Sequence, residues 1–205
     1  MFKAPNGKDC FLVAIEGPDR LGKATQAQML EDALTKRKHK ATVEEIPYDD
    51  GVTYPIIYEM LHDGTALQFP IIFQTLQGLN RRYFQKSFLP TLARHYDVVI
   101  LDRWNLSTRV YGPASNVPDD TTTVILKGIV EPDITLVFDG VGFPKEGLDS
   151  YEKDRQLQET VRRGYLGYCE RHPKLFVKID ANRSREDVHE NVLDTVLDTL
   201  MERLR

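Results

Sequence analysis

Cysteine is nearly missing from this chain, with Cys10 and Cys169 the only two in 205 residues. So few thiols exclude a disulfide framework or a cysteine-built metal cluster. The two fall on a predicted strand and a predicted helix, where a thiol behaves as a small hydrophobe. Long apolar runs are missing too. No stretch approaches the roughly 20 residues of a membrane-spanning helix, and Met1-Phe-Lys-Ala-Pro-Asn-Gly7 has no signal-peptide core. A cytoplasmic protein is the expectation. There is no basic excess, since 27 Lys and Arg stand against 31 Asp and Glu for a net charge of -4. That gives no footprint for long nucleic acid or an anionic membrane, so small-molecule partners are expected. Repeats and low-complexity tracts are also absent. With 41% hydrophobic residues, the chain reads as one domain over 1–205 with a full core.

What is present is organised around Phe11-Leu-Val-Ala-Ile-Glu-Gly17-Pro18-Asp19-Arg20-Leu21-Gly22-Lys23-Ala24-Thr25-Gln26. An apolar strand breaks into a glycine-bounded loop and then into a helical pattern. In the spacing GxxxxGK, the glycines keep Cβ atoms away so that successive backbone N–H groups can surround a polyphosphate. The lysine reaches the outer phosphates, and the helix N-terminus adds partial positive charge. The residue after the lysine is ordinarily Ser or Thr, whose hydroxyl ligates Mg²⁺. Here it is Ala24, so the metal must be held differently. Thr25 follows, but one step along a helix turns a side chain by about 100°.

Further along, Ala41 to Ile46 reads as a second strand ending in the turn Pro47-Tyr-Asp49-Asp50-Gly51. Helical patterns follow over 54–61 and, as one unit, over 70–92, the latter carrying Gln77, Asn80, Arg81 and Arg82 among apolar residues. Tyr96 to Leu101 is a β-branched strand running into Asp102-Arg103-Trp104, and polar residues just past a buried parallel strand belong to a site. Another helix starts at Asn105, 113–120 reads as loop, and a helix over 121–130 is expected to be capped by Asp119 or Asp120. Strands over 134–138 and 175–179 flank a glycine-rich loop at 139–149 with the single lysine Lys145, and a helix from about Ser150 to Glu170. A C-terminal helix closes the chain. Five strands alternating with helices predict a three-layer α/β fold of P-loop NTPase type, a five-stranded mostly parallel sheet with helices on both faces.

The phosphate loop alone does not choose among GTPases, motor ATPases and small-molecule kinases. No Asn-Lys-x-Asp tetrad is present to read guanine, and the chain is short for a motor. Beyond the loop, Asp102-Arg103-Trp104-Asn-Leu-Ser107-Thr108-Arg-Val-Tyr111, Glu131-Pro132-Asp133, Asp149-Ser-Tyr151-Glu152 and Ile179-Asp180-Ala181 occur in order. Together with Ile15 to Lys23 they resemble the thymidylate kinases over nearly the whole chain. That resemblance implies phosphorylation of a deoxypyrimidine monophosphate, dTMP or a close analogue, by ATP and Mg²⁺ in a homodimer.

Residue by residue, the resemblance implies that Gly17, Pro18, Leu21, Gly22, Lys23, Ala24 and Thr25 surround the ATP phosphates and that Asn182 and Arg183 lie near the adenine. Arg20 is similar to the catalytic arginine of the subtype that carries it in the loop instead of in the lid, about 139–150. Arg103 and Arg81, or Arg82 in its stead, would hold the acceptor phosphate, and Asp19 would orient Arg103 or the sugar 3′-hydroxyl. Tyr111 would crowd the 2′ carbon. Gln77 and Thr108 would lie at the base, with Asp49 and Tyr151 also on the substrate side and Asp102 the candidate Mg²⁺ ligand.

Departures from the family pattern are as informative. Pro47-Tyr48-Asp49-Asp50 lacks an arginine, and Gln77 stands where a stacking Phe is expected if Arg81 is the matching arginine. An amide there predicts a weaker thymine preference, unless Gln77 faces solvent and Phe73 or Trp104 supplies the stack. Two rival readings accordingly remain. One is a kinase of the same scaffold acting on a modified pyrimidine nucleotide, a nucleoside or a base in DNA; the other is a non-catalytic nucleotide-binding protein.

Overall fold

The computed structural model describes residues 1–143 and 149–204. Its strands are β1 (Phe2–Lys3), β2 (Asp9–Glu16), β3 (Ala41–Glu45), β4 (Val98–Asp102), β5 (Ile134–Asp139) and β6 (Phe176–Asp180). The five longer ones form a parallel sheet in the order β3-β4-β2-β5-β6. The short β1 adds an antiparallel pairing at the start of β2, with Phe2 opposite Cys10. Two residues carry too little pattern for sequence reasoning to find that strand.

Central strands of a parallel sheet are apolar on both faces because helices cover both, and β2 shows this residue by residue. Phe11, Val13 and Ile15 pack in a core with Ala27, Leu30 and Leu34 of α1 (Lys23–Lys36) and Val188, Val192 and Val196 of the C-terminal helix, Arg185–Leu204. Cys10, Leu12 and Ala14 face the opposite layer with Phe84, Leu89 and Trp104. Cys10 of β2 and Cys169, in the helix Arg155–Arg171, are both free and buried. A third cluster lies above the sheet's carboxyl edge and joins Ile57, Phe73, Leu106, Val110, Val161 and Tyr165.

Three helical expectations need correction. The unit expected over 70–92 is two helices, and a further short one precedes it. After α2 (Tyr54–Asp63), Gly64 at φ 85 starts α3 (Thr65–Gln68); α4 (Pro70–Ser87) then breaks at Phe88 before α5 (Leu89–His95). Pro90 stands in the first turn of α5, where a missing N–H costs little.

After α6 (Asn105–Ala114), α7 spans only Asp119–Leu126. Its N-cap is Pro118, so Asp119 and Asp120 lie within its first turn and do not cap it. Their charges still suit the positive end of the helix.

The helix expected from Ser150 is divided at Asp154 into α8 (Ser150–Lys153) and α9 (Arg155–Arg171). Asp149 and Glu152 form a capping box on the first, and Asp154 accepts from Leu157 N at 2.9 Å to start the second. The C-terminal helix is α10. Lys145 lies outside the described residues, with the rest of 144–148 in the loop expected as a lid.

Candidate active site

At the end of β2 the chain turns through a loop made mostly of backbone. Gly17 has φ 129, and a Cβ there would run into the Phe138 carbonyl of β5. Gly22 has φ 75 and is the N-cap of α1. The first N–H groups of a helix have no intrahelical partner, so α1 offers its own to an anion beside the loop. Lys23 opens that helix, is buried, and donates from Nζ to the Pro18 carbonyl at 2.5 Å. Burial, reinforced by Arg103, brings its pKa down to about 8 against the pull of Asp19, Asp102 and Glu16. Ala24 and Thr25 are both exposed on the first turn.

Arg20 takes φ 63 within this loop. Its Nη1 donates to the Phe143 carbonyl at 3.2 Å, and its Nε lies 4.0 Å from Glu152 of α8. Asp19 is ion-paired with Arg103 and accepts from the Tyr111 hydroxyl at 3.1 Å. Burial alone would raise the Asp19 pKa, but Arg103, Lys23 and the Tyr111 hydrogen bond hold it below the usual carboxylate range. Arg103 also donates to the Gly17 carbonyl at 3.1 Å, and its guanidinium carbon lies 5.8 Å from the Tyr111 ring centre. These residues come together because β2 and β4 are neighbours, with Ile15 opposite Asp102.

Beneath them lies a group the sequence reading did not single out. Glu16 is fully buried and accepts from Trp104 N at 2.7 Å, Ser107 N at 3.0 Å, Ser107 Oγ at 2.6 Å and the Tyr165 hydroxyl at 3.1 Å. The N-cap of α6, Trp104, makes no side-chain cap of its own. A carboxylate from β2 supplies it, with the charge sign the helix start prefers. The available signal was a lone Glu at the end of an apolar strand.

A cleft of about 130 Å³ opens beside this cluster. Its lining includes Asp19, Arg103, Thr108, Tyr111 and Tyr151, together with Phe73, Gln74, Gln77 and Arg81 from one face of α4. Gln77 and Phe73 are both buried in it, while Trp104 is fully buried in the core against Phe84. Gln77 thus does not face solvent, and the aromatic available to stack is Phe73. The Arg81 guanidinium donates to Thr108 Oγ1 at 2.7 Å. Burial brings its pKa down to about 10. Arg82, by contrast, points away and donates to the carbonyls of Ile125 and Lys127. Of the two arginines, Arg81 is the one in the cleft.

Some expected residues lie elsewhere. Asp49 is exposed outside the cleft lining, with its carboxylate on Asp50 N at 2.9 Å. Asn182 and Arg183 are exposed after β6; Asn182 Oδ1 accepts from Val141 N at 2.9 Å, and Arg183 pairs with Asp187 at 3.8 Å. Asp102 is half-buried at the end of β4. Among the described residues no three His, Cys, Asp or Glu converge on a point that could cage a metal. One carboxylate near a phosphate loop suits Mg²⁺, which keeps waters and takes substrate phosphates as ligands. No helix among the described residues is long and apolar enough to cross a membrane.

A phosphate loop facing a second cleft lined by two arginines defines a nucleoside monophosphate kinase. Comparison with known proteins agrees. The family model for thymidylate kinase matches residues 15–192, and the chain belongs to that family. It is 30% identical over 196 residues to a thymidylate kinase of Caldanaerobacter subterraneus, covering 88% of this chain and 92% of that one. A thymidylate kinase of Caulobacter vibrioides is 30% identical over 199 residues, with 90% and 94% covered. Among solved structures, thymidylate kinase from Candida albicans superposes with a TM-score of 0.74 at 21% identity over 92% of each chain, a likeness of fold.

Proposed function

We propose that the protein phosphorylates dTMP to dTDP at the expense of ATP. An oxygen of the acceptor phosphate forms a new bond to the γ-phosphorus while the bond to the β,γ-bridging oxygen breaks, releasing ADP. No protein nucleophile is needed, so the chain contributes positioning and charge. The phosphate loop and Lys23 hold the ATP phosphates. Arg20 meets the transferring phosphoryl group, and Arg103, oriented by Asp19, holds the acceptor phosphate with its planar fork. Tyr111, tied to Asp19, stands where a 2′-hydroxyl would collide. Mg²⁺, when bound with ATP, offsets the phosphate charge, and Asp102 is the residue that would help hold it.

The observation that carries this reading is the common position of Asp19. It is one residue from the phosphate loop's Arg20 and bonded to both Arg103 and Tyr111 of the acceptor side. The two free thiols accord with a reducing cytoplasm. For the homodimer, exposed Ile72 and Leu79 of α4 and Val124 of α7 supply an apolar surface, and light scattering tests it.

An ADP-release assay across the deoxynucleoside and ribonucleoside monophosphates tests the activity. Turnover that depends on dTMP, with dUMP well ahead of UMP, is expected. ATP binding without acceptor-dependent turnover would instead make the chain a nucleotide sensor.

A further inference from the structure

Tyr165 of α9 is fully buried and does not line the cleft, yet its hydroxyl lies among the charged groups beside it. That hydroxyl donates to Glu16 Oε2 at 3.1 Å, and Ser107 Oγ donates to the same oxygen at 2.6 Å. The two hydroxyl oxygens are 3.1 Å apart, and each lies 3.5 Å from Arg103 Nη1. A hydroxyl has one proton and two lone pairs. With both protons drawn to Glu16, only acceptor capacity is left to face the guanidinium. Arg103 is ion-paired with Asp19 and, among the described residues, not with Glu16, whose charge therefore reaches it by way of the two hydroxyls. The rest of the guanidinium is held by Asp19 on Nη2 and by the Gly17 carbonyl on Nη1. Burial alone would lower the Arg103 pKa, but Asp19 foremost, with Glu16 contributing, raises it well above the usual guanidinium value.

We propose that Tyr165 is a positioning residue for Arg103: its lone pairs, turned by Glu16 and joined by those of Ser107, fix the plane of the guanidinium that receives the acceptor phosphate. Asp19 and Gly17 are two residues apart in one loop. A planar group needs anchors off a single line before its plane is set, and Tyr165 supplies one from α9. At 3.5 Å the two hydroxyl contacts orient more than they bind. A tilted fork would present its donors off the phosphate oxygens, and a misplacement of about 1 Å costs on the order of a hundredfold in rate. The inference rests on the reading that Arg103 holds the acceptor phosphate. Tyr165 acts through that arginine and not by touching the nucleotide.

The test measures affinity for dTMP and for thymidine, which has no phosphate, by calorimetry in the wild type, Tyr165→Phe, Arg103→Lys and the double variant, with kcat for the first two. Tyr165→Phe removes one oxygen and leaves Glu16 its donors from Trp104 and Ser107. It should lower kcat at least about tenfold and weaken dTMP at least about fivefold, with thymidine kept within about twofold. A lysine ammonium has no plane to set, so in the Arg103→Lys background the same change should weaken dTMP by less than about twofold. Equal weakening of dTMP and thymidine, the same loss in both backgrounds, an unchanged dTMP affinity or an unchanged kcat overturns the proposal. Ser107→Ala, which takes away the other oxygen, decides by the same criteria if Tyr165→Phe lowers the melting temperature by more than about 10 °C. A wild type that binds dTMP no more tightly than thymidine sinks the reading that Arg103 holds a phosphate, and that is seen before any variant is made.

Discussion

The two ends of the cleft are made of different material. At the phosphate end the ligand-facing groups are mostly backbone, shaped by Gly17 at φ 129 and Gly22 at φ 75, with Lys23 the buried long side chain. At the other end they are side chains on α4, where Phe73, Gln77 and Arg81 line the cleft from one stripe. A backbone cradle depends on where Cβ atoms are absent, so it tolerates few arrangements of sequence. Because one end is built of backbone and the other of side chains on a separate helix, each can be perturbed separately.

The sharpest test of that separation is Arg20→Ala, which removes a side chain whose position is set by the loop's left-handed backbone. A lost transition-state arginine should lower kcat by at least roughly a hundredfold with little change in the KM for ATP or in base preference. Steady-state kinetics with dTMP and dUMP measures both. A near-normal kcat would place the catalytic charge elsewhere and break the contrast.

A smaller effect is expected from pH. Lys23 sits at about 8 in the free protein, below its ordinary 10.5, chiefly through burial. Bound phosphates add negative charge against the same ammonium and raise it again. Between pH 8 and 10.5 ATP binding should therefore take up protons, and affinity should fall by up to about tenfold per pH unit. Calorimetry in buffers of different ionisation enthalpy detects the uptake. For folding the sign is opposite: the depressed pKa means the unfolded chain binds more protons in this window, so this contribution to stability rises with pH from 8 to 10.5. If ATP affinity is flat over this range, the lysine is not the group that meets the phosphates.

The smallest effect is expected at Ala24. Ala24→Ser restores a hydroxyl on the exposed first turn of α1 and should lower the Mg²⁺ concentration for half-maximal rate by a few-fold. An unchanged Mg²⁺ requirement would mean that phosphates, water and Asp102 already suffice.

How much of this was legible in the chain follows the same division. The loop 17–23, the parallel strands and the Asp102-Arg103 corner could be read directly, because glycine spacing and β-branched runs encode backbone shape. On α4 the candidates were named, but Arg81 was not separated from Arg82 nor Phe73 from Trp104. Phe73 and Arg81 are eight residues apart, and only the packed helix shows that both belong to the cleft while Arg82 turns to the Ile125 carbonyl. Matching Arg81 to the family's arginine made Gln77 the replacement for an aromatic; the structure places Phe73 there too. Glu16 was overlooked because its three partner residues, Trp104, Ser107 and Tyr165, lie far along the chain. Helix breaks at Phe88 and Asp154 were missed because apolar periodicity runs through them, and only the cap hydrogen bonds mark the stop.

Glu16 also has a mechanical meaning. It precedes Gly17 in the chain, and its oxygens hold the first turn of α6, which carries Ser107 and Thr108 and leads on to Tyr111. The phosphate loop and α6 are thus tied to a single carboxylate, which adds to the β2–β4 pairing that already holds them side by side. Across the cleft α2, α3 and α8 touch one another, with α2 and α3 packed on α4 and α8 on α9.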